Sequence, residues 1–223
     1  MRYRAIGFDM DGTIVDSEID YAKLALVEHD IFMKLGVPDE LLTKGSEKEI
    51  ILAGIEYLKK QGKTYTFEEI SEMVTEKDNE IESENVEKSV LFPGTEKLLK
   101  RIKSENILLG LLTRGQRGYV TKTLKFCEIE NCFDAIEAYD DHPIGEQKPN
   151  PIAMEHLARK LGVKPQEILY IGDSTTDYAC AAGSGADFIG MAFDEKHIEM
   201  WKKLDENIKI AESMEELEKM IFG

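Results

Sequence analysis

The sequence predicts an α/β fold, a parallel sheet flanked by helices and interrupted by one all-helical block. Three observations carry this expectation. A short apolar run at residues 3–8 leads into Phe8-Asp9-Met10-Asp11-Gly12-Thr13, two carboxylates one residue apart followed at once by glycine. From about residue 90 onward, apolar runs of strand length alternate with amphipathic segments of helix length, the pattern of β-α-β units with right-handed crossovers. Between these regions, residues 17–89 show helical spacing only.

Length and charge limit the chemistry. A chain of 223 residues is longer than one typical domain and shorter than two, which suits a core with a smaller insertion. The expected division is a core of residues 1–16 and 90–223 and a helical unit of residues 17–89. The formal net charge is −16, from 44 acidic and 28 basic residues, which disfavours nucleic acid and anionic membranes as partners. The first residues carry no leader pattern, and the apolar run at residues 107–112 is too short to span a bilayer, so a soluble cytoplasmic protein is expected. Cys127, Cys132 and Cys180 have no metal-ligand spacing with the four histidines and read as reduced thiols. Oligomeric state is not legible.

Taken in order, residues 3–8 mix aromatic and β-branched side chains as a buried strand does, which places Asp9 at its carboxyl end. Tyr21, Leu24, Ala25, Val27, Phe32 and Leu35 recur at helical spacing up to Gly36-Val37-Pro38, predicting one helix. A second helix fits residues 47–60. Thr66 and Glu69 resemble a capping box that opens a third. After the turn Phe92-Pro93-Gly94, residues 95–104 read as an amphipathic helix. Residues 107–112 read as a fully buried strand ending in Thr113-Arg114-Gly115, and a helix is expected over 118–125. Residues 135–139 are a weaker strand candidate. The loop after them holds Lys148-Pro149-Asn150-Pro151, with Asn150 suited to an N-cap and Pro151 to the first helical position. A strand over 168–171 ends in Gly172-Asp173-Ser174-Thr175-Thr176-Asp177 and leads into a helix of small residues. Residues 188–192 are expected to be the last buried strand, and a helix over 214–221 closes the chain.

In a parallel sheet all carboxyl ends share one edge, where ligands bind. Asp9, Thr113, Lys148 and Asp173 all follow predicted strands and should therefore meet, although Asp9 and Lys148 are far apart in sequence. Taken singly, the two aspartates could be a turn and Lys148 a solvated loop residue. A calcium loop is excluded, because Gly12 comes too early and no helix precedes it. A second aspartate, Asp177, four residues after Asp173 makes that turn a candidate metal-facing loop. His29, His142, His156 and His197 lie in no motif and read as structural or exposed.

In this order and these strand contexts, DMDGT at Asp9 to Thr13, Thr113, Lys148 in KPNP and GDSTTD from Gly172 to Asp177 resemble the four motifs of the haloacid dehalogenase superfamily, and their combination resembles its phosphatase branch, of the phosphoglycolate phosphatase and β-phosphoglucomutase type. The resemblance spans nearly the whole chain. It implies a Rossmann-like core with a helical cap, and hydrolysis of a small organic phosphomonoester, of phosphoglycolate or sugar-phosphate type, through an aspartyl-phosphate. By motif position it makes Asp9 the nucleophile, Asp11 the general acid and base, and Lys148 a catalytic cation. Thr113, Arg114, Gly115 and Lys148 would bind phosphate or substrate, although the family commonly has asparagine at the position of Arg114. Mg²⁺ would be held by Asp9, Asp173, the backbone carbonyl of Asp11, and Asp177 directly or through water. The turn at residues 42–46 would face the site, with Lys44 a candidate partner for a substrate carboxylate. Asp11 argues against dehalogenation. Tyr21, where the mutase branch carries histidine, favours hydrolysis over a phosphomutase. A phosphate-binding module without turnover is the remaining alternative, and it would be expected to have lost one of these groups.

Overall fold

The computed structural model describes residues 3–43 and 45–223; Lys44 lies outside the described residues. Its strands are β1 (Ala5–Phe8), β2 (Val15–Asp16), β3 (Val90–Leu91), β4 (Leu108–Leu112), β5 (Ala135–Glu137), β6 (Ile168–Gly172), β7 (Asp187–Met191) and β8 (Lys209–Ala211). Its α-helices are α1 (Tyr21–Leu24), α2 (Val27–Leu35), α3 (Glu47–Lys60), α4 (Phe67–Ser83), α5 (Thr95–Ser104), α6 (Arg117–Phe126), α7 (Ile152–Leu161), α8 (Thr175–Ser184), α9 (Glu195–Leu204) and α10 (Met214–Phe222).

Six strands form one parallel sheet in the order β5-β4-β1-β6-β7-β8, giving the α/β, Rossmann-like class. Alternation along each strand explains why both faces are covered. Ile6 and Phe8 of β1, Leu109 and Leu111 of β4, and Leu169 and Ile171 of β6 pack on one face against α5, α6 and α10 through Leu98, Leu99, Val120 and Leu217. Ala5, Ile168 and Tyr170 turn to the other face and meet Met154, Leu157 and Ala181 of α7 and α8. The chain runs outward from β1 through β4 to β5, then crosses back to β6 on the far side of β1. Its direction reverses there, and the carboxyl ends of β1, β4 and β6 open onto a crevice.

Helices α1 to α4 lie between β2 and β3, which pair antiparallel with Val15 opposite Leu91. This two-stranded ribbon carries both chain passages between the sheet and the helical insert. The insert has its own apolar cluster, in which Ile31 and Phe32 of α2, Ile51 and Leu58 of α3, and Ile70 and Val74 of α4 are buried together. The Thr66 capping box is present: the Glu69 amide donates to Thr66 Oγ1, and the Glu69 carboxylate accepts from the Thr66 amide.

Two expectations are corrected. The helix predicted from residue 21 to 35 is broken into α1 and α2 at Ala25 and Leu26. Its first turn has no buried residue: Tyr21, Leu24 and Ala25 line the cleft beside the sheet, and of these only Leu24 also packs against the insert's apolar cluster. The expected last buried strand, 188–192, is β7 (Asp187–Met191), but a further, mostly unburied strand follows it. Helix α9, capped by Asp194 accepting from the His197 amide at 2.8 Å, sends the chain back to β8 at the sheet edge. With only three residues and an exposed Lys209, β8 has too little apolar character to be read from the sequence.

Candidate active site

The carboxyl ends of β1, β4 and β6 bring Asp9, Thr113 and Asp173 to one edge, and the loop after β5 adds Lys148. A cleft of about 730 Å³ opens above them, roofed by the insert. Asp9 is fixed at its root, its amide donating to the Ile171 carbonyl at 2.9 Å.

Lys148 is the hub of this floor. Its Nζ donates to Asp9 Oδ1 at 2.7 Å, to Asp177 Oδ1 at 2.5 Å and to the Tyr170 hydroxyl at 3.0 Å. Tyr170 in turn donates to the Leu112 carbonyl at 2.7 Å. Burial alone would lower the lysine pKa, but the Asp177 and Asp9 carboxylates override it and raise it above the ordinary value. Lys148 therefore stays charged. Asp177 is fully buried, its second oxygen accepting from the Ser174 hydroxyl at 2.6 Å and the Ser174 amide at 3.0 Å.

Asp11 is held differently. Its Oδ1 accepts from Ser17 Oγ at 2.6 Å and from the Tyr119 hydroxyl at 2.5 Å. Burial raises its pKa, against the pull of these two donors, which favours a carboxyl able to hold a proton. Asp9 is raised well above the usual range by burial and by Asp177, with Lys148 opposing. Burial, and then Asp177, push Asp173 up to about 6. Four aspartates thus share one lysine. Burial with too little positive charge is the common cause of these shifts.

One oxygen each of Asp9, Asp173 and Asp177 lie within 4.8 Å of one another, and Thr13 Oγ1 donates to Asp173 Oδ1 at 2.9 Å. Gly12, at φ +76°, is what allows this approach: a Cβ there would lie 2.3 Å from Asp173 Oδ2. The donors are all hard oxygens, and the surplus charge is negative, so the group suits a hard divalent cation.

Thr113 is buried, and its Oγ1 accepts from the Gly115 amide at 3.1 Å, which leaves the hydroxyl proton free to donate. Thr113, Arg114 and Gly115 all line the cleft. Arg114 is exposed, its guanidinium 5.9 Å from the centroid of the Tyr139 ring. The expected role of Lys44 falls outside the described residues. His142 and His156 stack with centroids 3.6 Å apart behind the Lys148 loop. Each bonds a carboxylate, Glu137 at 2.9 Å and Glu146 at 2.8 Å, as a brace would.

Sequence reasoning missed Ser17, Tyr119, Tyr170, Ser174 and Gln116. Ser174 had a visible signal, lying between Asp173 and Asp177. The tyrosines had none, since each sits at an apolar position of its element and only the hydroxyl reaches the site.

Comparison with known proteins agrees with this geometry. A family model described as haloacid dehalogenase-like hydrolase matches residues 6–191. The chain is 30% identical to a phosphoglycolate phosphatase of Haemophilus influenzae, over 86% of this chain and 87% of that one. It is 29% identical to a phosphoglycolate phosphatase of Pasteurella multocida, over 95% and 92%. Among solved structures, CbbY from Rhodobacter sphaeroides in complex with phosphate superposes with a TM-score of 0.61 at 24% identity, over 95% and 94% of the two chains. A HAD-superfamily hydrolase from Ehrlichia chaffeensis gives 0.61 at 19% identity, over 99% and 96%; both share the fold. With the family model spanning most of its length and its sheet order and strand-end residues in place, this chain belongs to the haloacid dehalogenase-like hydrolase family and is a hydrolase.

Proposed function

We propose that the protein is a Mg²⁺-dependent phosphatase that hydrolyses small organic phosphomonoesters through an aspartyl-phosphate on Asp9, with residues 17–89 acting as a cap over a core of residues 1–16 and 90–223. The observation that carries the reading is the Lys148 ammonium, bonded at once to Asp9 and Asp177 beside Asp173. A carboxylate attacking a phosphate dianion faces about 4 kcal/mol of repulsion per unit pair at 4 Å and an effective dielectric near 20. Lys148 offsets part of this at the attacking oxygen itself.

Asp9 and Asp173 would hold Mg²⁺, with the Asp11 carbonyl as a further ligand. Asp177, whose oxygens are engaged by Lys148 and Ser174, would reach the ion through water while fixing the lysine. When bound, the cation supplies positive charge that lowers the repulsion between nucleophile and phosphate and stabilises the transferring group.

The remaining work falls to side chains. An Asp9 oxygen forms the bond to phosphorus as the bond to the leaving oxygen breaks, and Asp11 delivers its proton to that oxygen. Ser17 and Tyr119 hold the Asp11 carboxyl in one orientation through both steps. Water then attacks phosphorus, Asp11 takes its proton, and the bond from Asp9 to phosphorus breaks to release phosphate. The Thr113 hydroxyl, oriented by the Gly115 amide that donates to its oxygen, and the Arg114 guanidinium would donate to phosphate oxygens. Tyr21, at the position where the resemblance puts the mutase branch's histidine, lines the cleft, which supports transfer to water.

Release of phosphate from p-nitrophenyl phosphate with Mg²⁺, abolished by a chelator, tests the reading. No release under these conditions would return the chain to the class of binding modules.

A further inference from the structure

The roof of the cleft is built from hydrogen-bond acceptors. Glu28 of α2, Glu47 of α3, and Asp78 and Glu82 of α4 all face the cavity. Two have backbone or amide partners: Glu82 accepts from the Gln116 amide at 2.9 Å, and Asp78 accepts from Gln116 Nε2 at 3.3 Å. Glu47 accepts from the Tyr139 hydroxyl. None of these four is bonded to a lysine or arginine among the described residues, and Glu28 has no side-chain partner there.

Gln116 adds an independent sign. It is 2% exposed, it lines the same cavity, and its Oε1 has no hydrogen-bond partner. A buried amide oxygen without a donor costs free energy until a ligand supplies one. Among the described residues Arg114 is the one cation on the cavity wall outside the floor, against four carboxylates. Burial has pushed Asp78 up to about 7 and Glu82 to about 8, as expected for carboxyl groups deprived of counter-charge.

Resting on the phosphatase reading, we infer that the alcohol part of the substrate is rich in hydrogen-bond donors, hydroxyl or ammonium groups, and carries no carboxylate. A sugar or amino-sugar phosphate presents such donors to Glu28, Asp78 and Gln116 Oε1 while its phosphate lies on the floor. A carboxylate-bearing phosphomonoester such as phosphoglycolate would instead bring a like charge to a wall on which Asp78, at about 7, is mostly ionised at pH 7.5 and repels it. On this account the chain differs in specificity from the phosphoglycolate phosphatases with which it shares 29 to 30% identity.

The test uses three probes, glucosamine 6-phosphate, glucose 6-phosphate and phosphoglycolate, with Mg²⁺ at pH 7.5. Expected is kcat/KM falling in that order, with the first at least about tenfold above the last. Glu28→Gln and Asp78→Asn, both at half-exposed positions, should each reduce the ratio of glucosamine 6-phosphate to phosphoglycolate by roughly threefold to tenfold. A preference for phosphoglycolate, or a ratio that neither substitution moves, overturns the inference while leaving the phosphatase reading intact. Calorimetric binding of the same probes to the Asp9→Asn chain with Mg²⁺ reads the wall without turnover: tighter glucosamine 6-phosphate supports the inference even if p-nitrophenyl phosphate is not hydrolysed, and tighter phosphoglycolate sinks it.

Discussion

Floor and roof of the cleft are both lined by carboxylates, yet they are built on opposite electrostatic plans. On the floor, Asp9 and Asp177 are locked to a buried ammonium at 2.7 and 2.5 Å, Asp173 is held by a hydroxyl, and each of these carboxylates is anchored at the end of a strand or in the first turn of a helix, with Lys148 on the loop after β5. On the roof, Glu28, Asp78 and Glu82 hang from helices with no fixed cation between them among the described residues. The floor sets one lysine against four aspartates, a balance that a divalent cation would complete. Among the described residues no lysine or arginine is paired with the roof carboxylates, which leaves that part to whatever enters. Catalysis requires a constant environment, and specificity requires one completed by the substrate.

Removing the centre of the floor should have the largest effect. Asp9→Asn is expected to lower kcat by roughly 10⁴-fold or more, measured as phosphate release, while thermal stability holds or rises because a buried carboxylate with a raised pKa is gone. Residual turnover near wild type would show that another group is the nucleophile. Next comes Lys148→Ala, which leaves Asp9 and Asp177 unpaired. Loss of kcat of about 10²- to 10³-fold is expected, together with destabilisation of up to about 3–5 kcal/mol in the absence of metal, read by denaturant melts with and without Mg²⁺. The same lysine thus affects both activity and stability, which no single roof residue should do.

The floor was legible in the sequence and the roof was not, for a physical reason. Asp9, Thr113, Lys148 and Asp173 follow apolar runs, so their convergence is imposed by parallel strands and needs no knowledge of packing. Roof residues lie on helices, where a polar residue at helical spacing reads as a solvated face. Asp78 and Glu82 sit in a strongly acidic stretch of α4, a composition usual for a solvated face; the packing of α4 against α6 turns them inward. Tyr119 and Tyr170 were hidden for the converse reason, being core residues by pattern with one polar atom in the site. The α1–α2 break belongs to the same class, since cleft and core both call for apolar residues at helical spacing.

Gly12 sharpens the comparison from the floor side with a smaller effect. Gly12→Ala places a Cβ 2.3 Å from Asp173 Oδ2 at a φ of +76°, so Asp173 must move or the turn must strain by about 1–2 kcal/mol. Mg²⁺ affinity is expected to fall by roughly 10- to 100-fold, with activity partly recovered at saturating Mg²⁺. Calorimetric titration of the ion checks this. Unchanged affinity would mean that Asp173 is not a ligand.

The smallest effect on turnover comes from the roof, whose effect on stability is visible against pH. Glu82 is buried, and burial raises its pKa from an ordinary 4.5 to about 8. A carboxyl whose folded pKa is raised contributes stability that is fully present below the unfolded value and is lost as pH rises through the folded one. The wild-type protein should therefore lose stability from this group progressively between about pH 4.5 and 8. Glu82→Gln keeps an acceptor for the Gln116 amide but cannot ionise, so its melting temperature relative to wild type should climb across that window. For a chain of this length a change of 1 kcal/mol corresponds to roughly 2–4 °C, which sets the scale of the expected crossover. Thermal melts of both proteins at pH 5, 6.5 and 8.5 measure it. A pH-independent difference between them would mean that Glu82 is already ionised at pH 5, that its burial is balanced by charge the roof does not display, and that floor and roof follow one plan after all.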